Sequence, residues 1–186
     1  MYRVLLLAFV GYVAANTCPE VTPVQDFNFD AYGQGTWYEY ARYIHPKVNL
    51  LCSSVDFKLN GDVSDLVFNY IVNNKKSSMT GVMKLASDAG KTGKLEYTLN
   101  PGTGSIVIEN IIVYILAVDY DDYVITYSCK YNADKGTHED YVMVLTRSKT
   151  PSDEVKGEIE KLLKTFSVIN TSKLEYPVFN EENCKV

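Results

Sequence analysis

The chain predicts an all-β domain, an eight-stranded antiparallel up-and-down barrel with one C-terminal α-helix. Short runs rich in Val, Ile, Tyr, Phe and Thr recur from Thr36 to Tyr176, and a single amphipathic helical stripe interrupts them near the end. Turn residues punctuate the runs at Asn60-Gly61-Asp62, Asn73-Asn74-Lys75, Asp88-Ala89-Gly90, Pro101-Gly102 and Asp134-Lys135-Gly136. Strands spaced this evenly close into a sandwich or a barrel, and eight joined mostly by short turns suit an up-and-down barrel.

The first element is not part of that domain. Residues 1–15 hold one basic residue, Arg3, then the apolar run Val4 to Val13, then the small residues Ala14 and Ala15. That is the pattern of a secretory signal peptide, and the run is shorter than the roughly 20 residues that span a bilayer. Removing these 15 of 186 residues takes away one of 18 basic residues, so 16–186 is expected to form a single domain of 171 residues with 17 basic against 23 acidic groups, net −6. With no clustered basic stripe, that balance argues against nucleic acid and against stable membrane insertion. Two histidines, His45 and His138, leave little material for a histidine-rich metal site or a Ser-His-Asp hydrolase.

The strands are expected near 36–44, 53–59, 64–72, 78–85, 94–99, 106–118, 123–131 and 139–147, with a short extended piece near 173–176. Pairing the last two main strands across Asn132 to His138 sets residue 128 opposite 141 and 130 opposite 139. The helix is announced by Thr150-Pro151-Ser152-Asp153, with Thr150 as cap and Pro151 in the first turn. Val155, Ile159, Leu162, Leu163 and Phe166 then recur at helical spacing and form a stripe suited to packing on the outside of the barrel. In a secreted chain the even number of cysteines, Cys18, Cys52, Cys129 and Cys184, reads as two disulfides; three pairings are open. Each loop of about 100 residues so closed stabilises by about 4 kcal/mol in the chain-entropy model. Asn170-Thr171-Ser172 is a glycosylation triplet.

Gly35-Thr36-Trp37, Val118-Asp119-Tyr120-Asp121-Asp122-Tyr123 and Arg147 occur in the order of the three conserved regions of lipocalins. Cys18-Pro19-Glu20-Val21, Tyr127-Ser128-Cys129-Lys130-Tyr131, Gly136-Thr137-His138-Glu139-Asp140-Tyr141 and Arg147-Ser148-Lys149 resemble the insect bilin-binding proteins and insecticyanins within that family. The resemblance covers essentially the whole mature chain. It implies a calyx that holds one small apolar ligand, disulfides Cys18–Cys129 and Cys52–Cys184, and structural roles for Gly35, Trp37, Asp119 and Arg147. A guanidinium stacked on the only indole gains about 0.5–2 kcal/mol and closes one end of the barrel.

If Arg147 closes that floor, alternation turns Glu139, Tyr141, Met143 and Leu145 into the lumen, and register brings Thr126, Ser128 and Lys130 in with them. Alignment with the family extends the lining to Asn69, Ile71, Met79, Met83, Leu95, Tyr97, Leu99, Ile111, Val113 and Ile115. Large apolar groups with two adaptable methionines suit a flat or elongated hydrophobe; the alternative is a barrel filled by its own side chains. Lys130 and Glu139 are read as a cross-strand ion pair at the mouth, or as a lysine that meets a ligand carboxylate. His138 is expected just outside that pair and His45 in a loop over the mouth. Asp119, Asp121 and Asp122 lack calcium-loop spacing and are read as a solvated turn, so no metal site is expected.

The resemblance thus implies a secreted carrier of a biliverdin-type bilin, with no required cofactor and no reaction. Ile71 stands where pigment-binding relatives have a histidine, which leaves a carrier of a retinoid, fatty acid or sterol, as in apolipoprotein D, as the alternative. A lipocalin-fold enzyme would need a reactive group in the lumen, for which Lys130 with Glu139 is the one pair. A third reading is a subunit of a pigment or extracellular matrix assembly, for which outward Tyr127 and Tyr131 could supply an exposed aromatic patch; a homo-oligomer is open, and haemolymph or cuticle is the expected location.

Overall fold

The computed structural model describes residues 17–43, 50–102, 107–177, 179–180 and 184. The expected signal segment and His45 lie outside the described residues. In chain order the elements are α1 (Phe29–Tyr32), β1 (Gly35–Tyr43), β2 (Leu51–Asn60), β3 (Val63–Val72), β4 (Lys75–Leu85), β5 (Lys94–Asn100), β6 (Ile108–Asp119), β7 (Tyr123–Asn132), β8 (Thr137–Thr146), α2 (Asp153–Leu163) and β9 (Leu174–Glu175).

β2 to β8 pair in sequence order, β8 pairs with β1, and β1 pairs back with β2, so eight antiparallel strands close on themselves. Closure leaves no sheet edge except where β9 extends β1 through Arg42↔Glu175 and Tyr43↔Leu174. The turns follow their residues. Asn73 and Asn74 both have positive φ, 51° and 56°, the twist a two-residue hairpin between Val72 and Lys75 requires, and asparagine tolerates it better than most side chains. Across the β7–β8 turn, Ser128 stands opposite Tyr141 and Lys130 opposite Glu139.

Strand alternation divides the apolar residues into two cores. Inside the barrel lie Trp37, Val55, Phe57, Leu66, Met83, Leu95, Ile115, Val124 and Leu145. Outside it, Ala41, Leu116, Ile125, Tyr127, Val142 and Val144 pack against Ile159 and Leu163 of α2. Bulges at Glu39/Ala41 and Ile115/Ala117 shift strand parity so that both faces stay matched around the closure.

Three local features depart from expectation. Ser152, not Thr150, caps α2: it is extended at ψ 161° and its side chain accepts from the Val155 backbone amide, so Pro151 precedes the cap. The helix ends at Leu163, and Phe166 lies beyond it while still packing on the outer core. The four-residue α1 went unrecognised because one turn shows no periodicity; its signal was Asn28, whose side chain accepts from Ala31.

Candidate functional site

One end of the barrel is shut by Arg147. Its guanidinium carbon lies 3.7 Å from the centre of the Trp37 ring. Its nitrogens donate to the carbonyls of Tyr120, Gln34, Thr36 and Ala31 at 2.9–3.3 Å. The Trp37 indole N–H donates to the Tyr32 carbonyl at 3.1 Å. Gly35, at φ +75°, carries the chain past the guanidinium; a Cβ there would lie 3.2 Å from Arg147 Nη1. Asp119 caps the adjacent turn, its side chain accepting from the Asp121 amide and its carbonyl from Asp122. Among the described residues no cluster of three or more His, Cys, Asp or Glu could hold a metal ion.

Above this floor the inward residues change character. Met83, Leu95 and Ile115 are fully buried, whereas Met79, Tyr97, Leu99, Ile111, Val113 and Met143 keep partial exposure although they point inward. A side chain on the concave face of a closed barrel can meet solvent only through the lumen, so the calyx is packed below and open above. Deep in it, the Tyr32 and Tyr97 hydroxyls lie 3.0 Å apart. Burial pushes Tyr32 up to about 12 and raises Tyr97 well above the phenol range, so both are neutral at physiological pH.

The polar lining is sparser than expected. Thr126 and Ser128 face inward, but their hydroxyls are spent on the wall, donating to the Met143 and Ile112 carbonyls. At the mouth Tyr141 is 41% exposed, and its hydroxyl donates to Glu139 Oε2 at 2.9 Å. Among the described residues Lys130 and Glu139 form no ion pair: Tyr141, two positions along the same strand face, holds the carboxylate instead and leaves the Lys130 ammonium exposed. His138 lies on the outer face with its Nε2 3.6 Å from Asp140.

Asn69 and Ile71 point outward, not into the lumen. β2 pairs Val55 with Phe68 and Ser54 with Asn69, so Leu66 and Phe68 face the interior core, and Asn69 donates to Asp56 Oδ2 on the outer wall. A slip of one residue in placing a strand reverses every face on it; the exposed–buried alternation of Asp65, Leu66, Val67 and Phe68 was the available signal. Ile71 is 4% exposed under outer-wall cover, so the residue type there bears on that wall and not on the lumen. Tyr127 likewise leaves the expected surface patch: it is fully buried in the outer core with its hydroxyl on Asp140, while Tyr131 remains exposed.

Cys18 bonds Cys129, tying the N-terminal segment to the outer face of β7, and Cys52 bonds Cys184, tying that residue to β2. Beside that second disulfide is a depression of about 810 Å³, bordered by Tyr38, Asn69, Ile71, Lys149 and Phe179. Asn170 is exposed but its side-chain oxygen caps the turn to Ser172.

Inward-facing Glu39, Arg42 and Ser53 were not foreseen. All three are buried, at 1%, 6% and 1% exposure. Arg42 is held between the Glu39 and Glu175 carboxylates and donates also to the Leu50 carbonyl at 2.8 Å. Burial raises the Glu39 carboxyl above its ordinary value, against the pull of Arg42 and Ser53. The signal was present in Trp37-Tyr38-Glu39, where alternation from an inward tryptophan puts the glutamate inside.

Residues 34–181 match the model of the lipocalin / cytosolic fatty-acid binding protein family. The chain is 32% identical over 192 residues to the bilin-binding protein of Pieris brassicae, covering 100% of this chain and 99% of that one. It is 33% identical over 170 residues to insecticyanin-B of Manduca sexta, covering 90% and 82%. The solved structure of insecticyanin from the same moth superposes with a TM-score of 0.82 at 33% identity over 91% of this chain and 89% of that one.

Proposed function

The chain belongs to the lipocalin / cytosolic fatty-acid binding protein family, and from that premise we propose that it is a secreted carrier that holds a biliverdin-type bilin in its calyx. The observation that carries the reading is the open upper lumen, where Met79, Tyr97, Leu99, Ile111, Val113 and Met143 present apolar surface that a flat hydrophobe can cover. Burying such a ligand gains about 25 cal/mol per Å² of apolar area. The two disulfides suit an oxidising, extracellular compartment. Among the described residues no helix is long and apolar enough to cross a membrane.

The exposed Lys130 ammonium at the rim is placed to meet a propionate. No chemical step is assigned. The phenols of Tyr32 and Tyr97 are held neutral by burial, and one oxygen of the Glu39 carboxyl is tied to Arg42. Adding biliverdin to the purified protein and recording the visible spectrum tests the reading. A saturable shift of the red and near-ultraviolet bands at one equivalent is expected; a spectrum that stays that of free biliverdin overturns it.

A further inference from the structure

The wall between the sealed floor and the mouth carries a polar group that the carrier role leaves unused. Glu39 stands opposite Leu145 and Arg42 opposite Met143 on the inner face, and Ser53 falls in step with inward Val55 and Phe57. Each nitrogen of the Arg42 guanidinium makes one hydrogen bond, Nη1 to Glu39 Oε1, Nε to Glu175 Oε1 and Nη2 to the Leu50 carbonyl. Left over are Glu39 Oε2 and Ser53 Oγ, buried atoms with no hydrogen-bond partner among the described residues. The Ser53 hydroxyl is near enough to pull the Glu39 pKa down, yet it does not reach hydrogen-bond geometry. Native interiors rarely leave buried polar atoms unpaired, because each forfeits its bond to water without replacement.

We propose that Glu39 Oε2 and Ser53 Oγ form a recognition point inside the calyx for a neutral ligand group that both donates and accepts a hydrogen bond, a hydroxyl or a lactam. This rests on the carrier reading and narrows its ligand class. The ligand's O–H or N–H donates to Glu39 Oε2, and its oxygen accepts from the Ser53 hydroxyl. A carboxylate-headed ligand is rejected here, since two acids, Glu39 and Glu175, already outnumber the one base, Arg42. An anionic group therefore belongs at the mouth with Lys130. Met143, opposite Arg42 and partly exposed, is the lumen side chain beside the site, and a thioether with three rotatable bonds can repack around an entering head group.

The test compares retinol, its hydrocarbon analogue axerophthene and biliverdin on the full chain and on the Ser53→Ala and Glu39→Gln variants. Axerophthene has the apolar body of retinol with neither its donor nor its acceptor. The wild type is expected to prefer retinol by roughly tenfold, about the worth of one hydrogen bond to a charged group. That ratio falls in both variants, while axerophthene binding is unchanged. Ser53→Ala removes only a hydroxyl and keeps the test decisive if Glu39→Gln does not fold. A wild-type ratio near one, or one that survives Ser53→Ala, overturns the inference. If only biliverdin binds, roughly fivefold weaker binding by Ser53→Ala is expected, and equal binding overturns it. A wild type that takes none of the three overturns the carrier reading itself.

Discussion

Arg147 joins α1, the loop before β1, the start of β1 and the β6–β7 turn through four backbone carbonyls and the face of Trp37. Arg147→Ala is expected to cost about 3 kcal/mol in urea denaturation, since it orphans partly buried carbonyls as well as removing the cation from the Trp37 face. Arg147→Lys recovers less than half, because an ammonium cannot fork to several carbonyls while lying flat on an indole. At the other end, Lys130→Ala is expected to weaken biliverdin about threefold and leave its dimethyl ester unaffected, in keeping with an exposed ion pair. Glu39 gives a prediction in pH. Burial raises its folded-state pKa above the ordinary 4.5, against Arg42, so the native state holds that proton more tightly than the unfolded chain. Its contribution is therefore fully present below about 4.5 and is lost as pH rises through the folded value. The stability difference between wild type and Glu39→Gln, measured by thermal melts, is expected to fall with rising pH across that interval; a flat difference contradicts the shift. Arg42, Glu175 and Ser53 are the polar groups that face this carboxyl, so the same profile reports on the whole group.

Turns and strands were legible in the sequence to the extent that local chemistry specifies them. The β3–β4 hairpin follows from two asparagines that accept positive φ, and Asn74→Gly should stabilise it by about 0.5 kcal/mol by easing that conformation. The last hairpin was readable to its register, because turn length and alternation leave one solution that keeps both faces matched. Where parity had to be carried across several strands it failed: Asn69 and Ile71 came out on the wrong side of β3, where the charge of Asp65 marks the outer face but apolar Val67 beside Leu66 and Phe68 blurs it. Bulges had the same effect, and Glu39 and Arg42 lie inward on either side of one, three residues apart, where strict alternation allows two. Cys184 is held to β2 by the Cys52 bond, and β9 to β1 by the Arg42–Glu175 contact. Replacing both Cys52 and Cys184 with Ser is expected to cost about 4 kcal/mol in a reversible melt, the loop-closure entropy of a long loop, with the barrel itself still folded.

At the scale of the whole molecule, the two cores divide the labour. The outer one, with α2, Tyr127 and both flanking segments, fixes the barrel's shape without using its interior, so the upper lumen is free to be apolar and open. Composition alone pointed away from nucleic acid and from histidine chemistry, and the motif order pointed to the fold. Alternation marks Glu39 as inward, but its grouping with Ser53 and Glu175 was hidden, because it depends on closure bringing β1, β2 and β9 together. The central claim is that the ligand sits in the lumen, above the single tryptophan. Trp37 emission followed during a biliverdin titration tests this most directly when run on two variants of adjacent residues: Met79, which points into the open lumen, and Thr80, which points out from the same strand. Saturable quenching at one equivalent is expected in the wild type and in Thr80→Arg, and its loss in Met79→Arg with the fold intact by circular dichroism. Equal quenching in Met79→Arg and the wild type would contradict that claim.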